Sequence, residues 1–309
     1  MIYEIFHETK FNYPSLVTFS HDIARLTPKN CSKQKLLEHT LEISPTPFET
    51  SEFTDYFGNE NTFMLIREAH KDLIVTSKSK VELLENYIYE EINKAKALTI
   101  TYQEAKQRLR KDPSDVLACH YLFETDSIPM ASKNIKEYVL QSFSENRPIF
   151  EATYEFMQRI FNDFKFVSGF TDITTPIELV FEQKKGVCQD FAQFAISALR
   201  SIGVPTRYVS GYIQTYPKEG QKKLFGSDAS HAWFSIYIPG FGWVDFDPTN
   251  NKMPNEEYIL LGYGRDYSDI SPLKGVVQSS GKSKLSVRVN VQSIENVQYA
   301  QAQTQSQTI

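Results

Sequence analysis

Cysteine, an excess of basic charge and long apolar runs are all scarce in this chain of 309 residues. Cysteine occurs three times, as Cys31, Cys119 and Cys188. So low and odd a count excludes a disulfide scaffold, leaves at least one thiol unpaired in a monomer, and makes a reducing cytoplasm the expected compartment. Lys and Arg number 33 against 38 Asp and Glu, a formal net charge of -5. That balance offers no electrostatic footprint for nucleic acid or an anionic membrane, and neither is expected as a partner. No stretch approaches the ~18 apolar residues of a membrane span. The opening residues, Met1-Ile2-Tyr3-Glu4-Ile5-Phe6-His7-Glu8, have no basic segment followed by an apolar one, so no secretory signal is expected.

Metal-binding patterns are missing as well. There is no C-x-x-C or H-x-x-x-H pair of the kind zinc uses and no D-x-D-x-D-G loop for calcium, so no metal or other cofactor is expected. His7, His21, His39 and His70 have no metal-like spacing and read as surface or sheet histidines.

What is present is an ordinary globular composition, 41% hydrophobic and 23% charged, over a length that suits two domains. From Ile2 to about Leu84 the chain alternates apolar with polar residues, as in Leu37-Glu38-His39-Thr40-Leu41-Glu42-Ile43, and Pro14, Ser44-Pro45-Thr46-Pro47 and Gly58-Asn59 punctuate the alternation as turns. This predicts a β-sandwich-like module over residues 1–85. From Glu85 the rhythm becomes helical. Ser114 is an N-cap candidate for a helix through Phe123, Ile135 to Phe143 shows a similar stripe, and Pro148 can start a third helix. Cys119 is read as a small core residue, because adjacent Cys119 and His120 would point about 100° apart on a helix. Lys165 to Glu182 reads as an extended or loop approach with a short helical turn from Ile177 to Phe181. Later strands are expected over Thr206–Ile213, over the hairpin Ala232–Ile238 and Gly242–Asp247, and over Leu285–Val291, with a polar loop through Lys218–Lys223. The Gln-rich stretch 292–309 is expected to be a disordered tail.

Chemistry concentrates around Gly186-Val187-Cys188-Gln189-Asp190-Phe191. After Cys188 the apolar positions Phe191, Ala195, Ala198, Leu199 and Ile202 recur at helical spacing until Gly203-Val204-Pro205 stops them. A cysteine on the first turn of a buried helix meets unpaired N–H groups and the positive end of the helix dipole, which favour a thiolate. A thiolate nucleophile needs a base and a group to orient that base. His231 is the one histidine after Cys188, at the start of the hairpin, and an aspartate at the hairpin's far end can reach it. Asp245 and Asp247 share a strand face, and Asp228 lies just before the hairpin, so pattern alone leaves the third member open.

Gly186-Val187-Cys188-Gln189-Asp190-Phe191, Ala229-Ser230-His231-Ala232-Trp233 and Gly242-Trp243-Val244-Asp245-Phe246-Asp247-Pro248-Thr249-Asn250 resemble the three motifs of the bacterial transglutaminase-like superfamily. Tyr208-Val209-Ser210-Gly211-Tyr212 and the segment Gly264 to Gly275 look like further parts of it, and the strands around Asp55-Tyr56-Phe57-Gly58-Asn59 resemble its N-terminal β region. The resemblance implies an α+β chain: the β-sandwich-like module, then a papain-like core over residues 86–291, with a helical part at 86–164 and an antiparallel sheet within 165–291. It implies a Cys188, His231 and Asp247 triad, choosing Asp247 over Asp245 and Asp228. The implied activity is cysteine-dependent acyl transfer on a peptide or amide substrate, hydrolytic rather than cross-linking, the alternative being an idle module that binds peptide or cell-wall fragments in the same cleft. The Cys188 N–H and Gln183 would then serve as oxyanion donors. Trp233, Trp243 and Tyr208 would line the cleft. Substrate identity and oligomeric state are not legible.

Overall fold

In β1 (Ile2–Val17), Tyr3, Ile5, His7 and Thr9 point inward and are buried while Glu4 faces out, the two-residue alternation of a strand with one wet face. The computed structural model describes residues 1–111, 115–216, 225–226, 228–278 and 281–294. In it β1 pairs antiparallel with β6 (His70–Leu83) on one side and with β14 (Lys284–Ser293) on the other, and β3 (Gln34–Ser44) lies beyond β6. A second four-stranded sheet has the order β13 (Leu273–Val277), β2 (Ser20–Ala24), β5 (Glu60–Ile66), β4 (Glu49–Thr54). Tyr13, Val17, Leu73 and Val75 of the first sheet share one apolar cluster with Ala24, Met64 and Ile66 of the second, which makes the pair a sandwich.

Helices follow: α1 (Glu85–Lys96), α2 (Tyr102–Leu109), a single turn α3 (Val116–Cys119) running into a 3-10 turn at His120–Leu122, α4 (Lys133–Leu140), α5 (Ile149–Asp163), α6 (Ile177–Gln183) and α7 (Cys188–Ser201). The third sheet has the order β11 (Gly242–Phe246), β10 (Ser230–Ile238), β9 (Thr206–Ile213), β12 (Tyr258–Gly264), with a short α8 (Tyr267–Ile270) after it. Phe191, Ala192, Phe194, Ala195, Ile196, Ala198 and Leu199 are all buried, so α7 is apolar nearly all round and runs through the middle of the core. It packs on β10 and β9 on one side and on α4 and α6 on the other. A helix so enclosed is a rigid mount for the residue at its start. Among the described residues no helix is long and apolar enough to cross a membrane.

Several expectations are corrected here. β13 and β14 do not belong to the core with residues 86–291; they return to the N-terminal sheets, so the sandwich is built from both ends of the sequence. Alternation along Leu285–Val291 shows a strand, but not which sheet adopts it. Gln292 and Ser293 are in β14 and not in a tail, while 295–309, Ser114 and the Lys218–Lys223 loop lie outside the described residues. Within the expected extended or loop approach, Lys165–Phe166 (β7) pairs in parallel with Lys185–Gly186 (β8). The expected helix through Phe123 closes early, at the 3-10 turn.

The sandwich is tied to the third sheet along the outer edge of β12. Gln34 donates through Nε2 to the Leu260 carbonyl (2.7 Å) and accepts from the Leu260 N–H (2.8 Å). Asn59 does the same for Tyr263, donating at 2.8 Å and accepting at 3.0 Å. Each side-chain amide supplies the hydrogen-bond pair that a neighbouring strand would have made. Tyr3, Ile5, Val81, Leu83, Val289 and Val291 then pack on Tyr212, Ile259 and Leu261.

At the end of α7 the buried Arg200 guanidinium donates to the carbonyls of Thr206, Arg265 and Phe123 at 2.6–3.0 Å. Removing it leaves the buried Thr206 carbonyl and the part-buried Phe123 and Arg265 carbonyls short of a donor. Arg200→Ala is therefore expected to lower unfolding free energy by on the order of 3 kcal/mol, read from the urea midpoint at unchanged slope.

Candidate active site

Cys188 is the first residue of α7 and is partly exposed, although the helix behind it is buried. Two neighbours in its motif hold that helix start. The Asp190 carboxylate accepts the Val187 N–H (2.7 Å) and the Thr171 hydroxyl (2.5 Å), closing the first turn back on itself. Gly186 makes room for this, since a Cβ there would sit 2.8 Å from the Asp190 side chain. The G-x-C-x-D spacing thus has a steric reason of its own, which inspection of the sequence missed.

His231 lies in β10 opposite Gly211 of β9 and is buried. Its Nε2 is 2.8 Å from Asp247 Oδ2, and Asp247 is wholly buried. With Nε2 engaged, Nδ1 is the ring nitrogen left for Cys188, whose side chain lies close enough to act on the His231 charge. Burial would by itself pull the His231 pKa down, but the charge and hydrogen bond of Asp247, aided by Cys188, raise it to about 10. Burial would likewise lift the Asp247 pKa, and His231, Tyr258 and Asn250 together hold it below the ordinary carboxylate range. Both shifts favour the charged pair, an imidazolium beside a carboxylate.

β11 ends at Phe246, and Asp247 opens a turn that closes through paired Asp247 and Lys252. That turn swings the Asp247 side chain towards His231. Asp245 stays on the strand and meets Lys33 of the sandwich at 2.9 Å. Asp228 accepts the Val291 N–H (2.8 Å) and so fastens β14. Of the three aspartates, Asp247 alone contacts the histidine.

Other expected site residues lie around these groups. Trp233 and Tyr208 are each 2% exposed; Trp233 borders a small pocket with Asp245 and Tyr258, and Tyr208 lies close enough to Cys188 to feel its charge. Trp233 stacks behind His231 with ring centroids 6.0 Å apart, and Tyr208 packs against Tyr267 among the residues under the helices. Trp243 is half-buried on Tyr121, Tyr237 and Arg207 and borders a pocket with Lys33 and Asp245. Gln183 ends α6, is exposed, and has no hydrogen bond directing it to Cys188.

Residues 3–82 match the bacterial transglutaminase-like N-terminal region and residues 136–248 the transglutaminase-like superfamily. An uncharacterized protein of Mycobacterium tuberculosis is 34% identical over 296 residues, 94% of this chain and 92% of that one. The chain belongs to the transglutaminase-like superfamily. An uncharacterized protein of Mycobacterium leprae is 31% identical over 93% of this transglutaminase-like chain and 97% of its own. A protein-glutamine gamma-glutamyltransferase of Pseudomonas aeruginosa is 30% identical over 106 residues, which is 31% of this chain but 16% of that protein. The fold is shared with the crystal structure of a candidate cysteine protease from Cytophaga hutchinsonii, with a TM-score of 0.73 and 19% identity over 95% of this chain and 91% of that one.

Gly211 stands where the sheet passes behind His231, and a Cβ there would lie 2.0 Å from the Ile259 carbonyl and 2.7 Å from Trp233. Neither neighbour can withdraw without moving the ladder that carries His231. Gly211→Ala is expected to destabilise the protein by about 2–3 kcal/mol, checked by thermal and urea unfolding.

Proposed function

We propose that this transglutaminase-like chain is a cysteine-dependent acyl-transfer enzyme that opens an amide or peptide bond through a thioester, with water as the principal acceptor. The observation that carries this reading is a partly exposed thiol at a helix N-terminus whose charge acts on His231, which is in turn hydrogen-bonded at 2.8 Å to the fully buried Asp247. Cys188 Sγ attacks the carbonyl carbon while the C–N bond is still intact. The tetrahedral oxyanion takes a hydrogen bond from the Cys188 N–H, which has no partner within the helix. Collapse breaks the C–N bond as His231 passes its proton to the departing nitrogen, leaving an acyl-Cys188 thioester. Water then gives a proton to His231 and adds to the thioester, and Cys188 leaves as thiolate. Asp247 remains ionised throughout, holding the ring orientation and its charge. Gln183 would need to turn inward to add a second oxyanion donor.

Transfer to an amine is the second reading, favoured by the 106-residue similarity to a gamma-glutamyltransferase. The two share the thioester and differ only in what attacks it. Ammonia or peptide release, followed beside incorporation of a labelled amine across glutaminyl and peptide substrates, separates them.

The pH dependence follows from the signs. The raised His231 pKa means that its stabilising charge is complete below about 6.5 and lost as pH climbs through about 10. The lowered Asp247 pKa means that its contribution is complete above the ordinary carboxylate value and lost as pH falls through the folded one. Near pH 6–7 Cys188 is therefore expected to react with iodoacetamide at least about tenfold faster than Cys31 and Cys119, two free thiols of the same chain. Asp247→Asn should remove most of that advantage, and Cys188→Ala should abolish turnover. Equal rates at all three cysteines, with turnover surviving Cys188→Ala, would sink the enzymatic reading.

A further inference from the structure

We infer that Tyr258 is a positioning residue for Asp247, and that the N-terminal sandwich acts on the chemistry by holding the strand that carries it. The inference rests on the Cys188–His231–Asp247 reading above. Asp247 Oδ2 accepts three hydrogen bonds: from His231 Nε2 (2.8 Å), from the Tyr258 hydroxyl (2.6 Å) and from Asn250 Nδ2 (2.6 Å). Its Oδ1 takes the backbone N–H groups of Thr249 (2.8 Å) and Asn250 (3.4 Å). The Asn250 and Thr249 donors belong to the same turn as Asp247, so they move with it. Tyr258 comes from a different strand, and its hydroxyl relates the carboxylate to the sheet.

The tyrosine is itself tightly placed. It is buried, with its ring edge-on to Trp233 at 5.4 Å and inclined at 60° to His231 at 5.9 Å. Burial and the adjacent Asp247 push its pKa well above the ordinary phenol value, so it stays a donor wherever the protein is folded. It is the first residue of β12, and it is not hydrogen-bonded to the sandwich directly. Two and five positions further on are Leu260 and Tyr263, whose backbone groups are clamped by Gln34 and Asn59. The sandwich therefore sets where β12 lies, β12 sets Tyr258, and Tyr258 sets one side of Asp247.

Groups facing this cluster come from each surrounding element: Cys188 from α7, His231 from β10, Lys252 and Glu257 from the turn before β12, and Cys31 and Lys33 with Asp245 across the small pocket that Tyr258 borders. Lys252 is paired with Glu257 at 2.5 Å and Lys33 with Asp245 at 2.9 Å, so neither cation is free to replace the lost phenol.

The test measures iodoacetamide alkylation of the full chain from pH 4 to 9, with each cysteine quantified separately by mass spectrometry. Removing one buried donor lifts the pKa at which Asp247 loses its charge, so that the charge is lost sooner as pH falls. Tyr258→Phe keeps the ring, and the acid limb of Cys188 alkylation is expected to move up by about one pH unit while Cys119, remote from Tyr258, keeps its profile. Gln34→Ala should move the same limb in the same direction by less. Should Tyr258→Phe fail to fold, the Gln34→Ala shift decides alone. An unshifted limb in folded Tyr258→Phe overturns the positioning role while leaving the triad reading intact. A wild-type Cys188 that alkylates like Cys31 overturns both.

Discussion

The arrangement depends on a buried charge pair. Asp247 has no solvent contact, and an unaccompanied carboxylate there would cost several kcal/mol or simply take up a proton. His231 and four further donors prevent that by matching the carboxylate's lone pairs. In return the carboxylate keeps a buried imidazole charged, which burial alone would forbid. The hairpin register, the turn from Asp247 to Lys252 and the placement of β12 all serve to bring these groups within 3.4 Å, and a thiol at the start of a rigid helix can exploit the result.

The same dependence explains why the N-terminal strands are not a separable appendage. β13 and β14 follow the core in sequence yet complete the two sheets that the first 83 residues begin. Cutting the chain after α1 begins would strand an edge of each sheet. It would also remove Gln34 and Asn59 from the outer edge of β12, leaving Leu260 and Tyr263 with unmatched backbone groups. Pairing residues 3–12 with 284–293 requires closing nearly the whole chain, so the addition of β14 is the most non-local pairing of this sheet.

Much of the site was legible because it is written in local chemistry. Cys188 is marked by the helix stripe that follows it and by the glycine and proline that end that stripe. His231 is marked by being the one histidine downstream, and the hairpin around Pro239-Gly240-Phe241 shows how a residue 16 positions later can reach it. Asp247 was distinguished from Asp245 by resemblance and not by pattern, because the strand was read as running through both. Asp245 meets Lys33 and Asp247, two positions on, meets His231, neighbours that come from other parts of the chain. Tyr258 and Gln34 left no trace in the sequence reading. A tyrosine and a glutamine at strand positions are ordinary until the strands are assembled.

Sequence by itself determined the family, the mixed α+β class, the alternating strands of the sandwich and the candidates for thiol and base, since each rests on spacing within a few residues or on a motif. Tertiary structure decided which sheet adopts the last two strands, which face Trp233 and Tyr208 take, and which donors surround Asp247. Those outcomes depend on contacts between residues far apart in the chain, and a one-dimensional pattern specifies which side of a strand is apolar without specifying what will cover it.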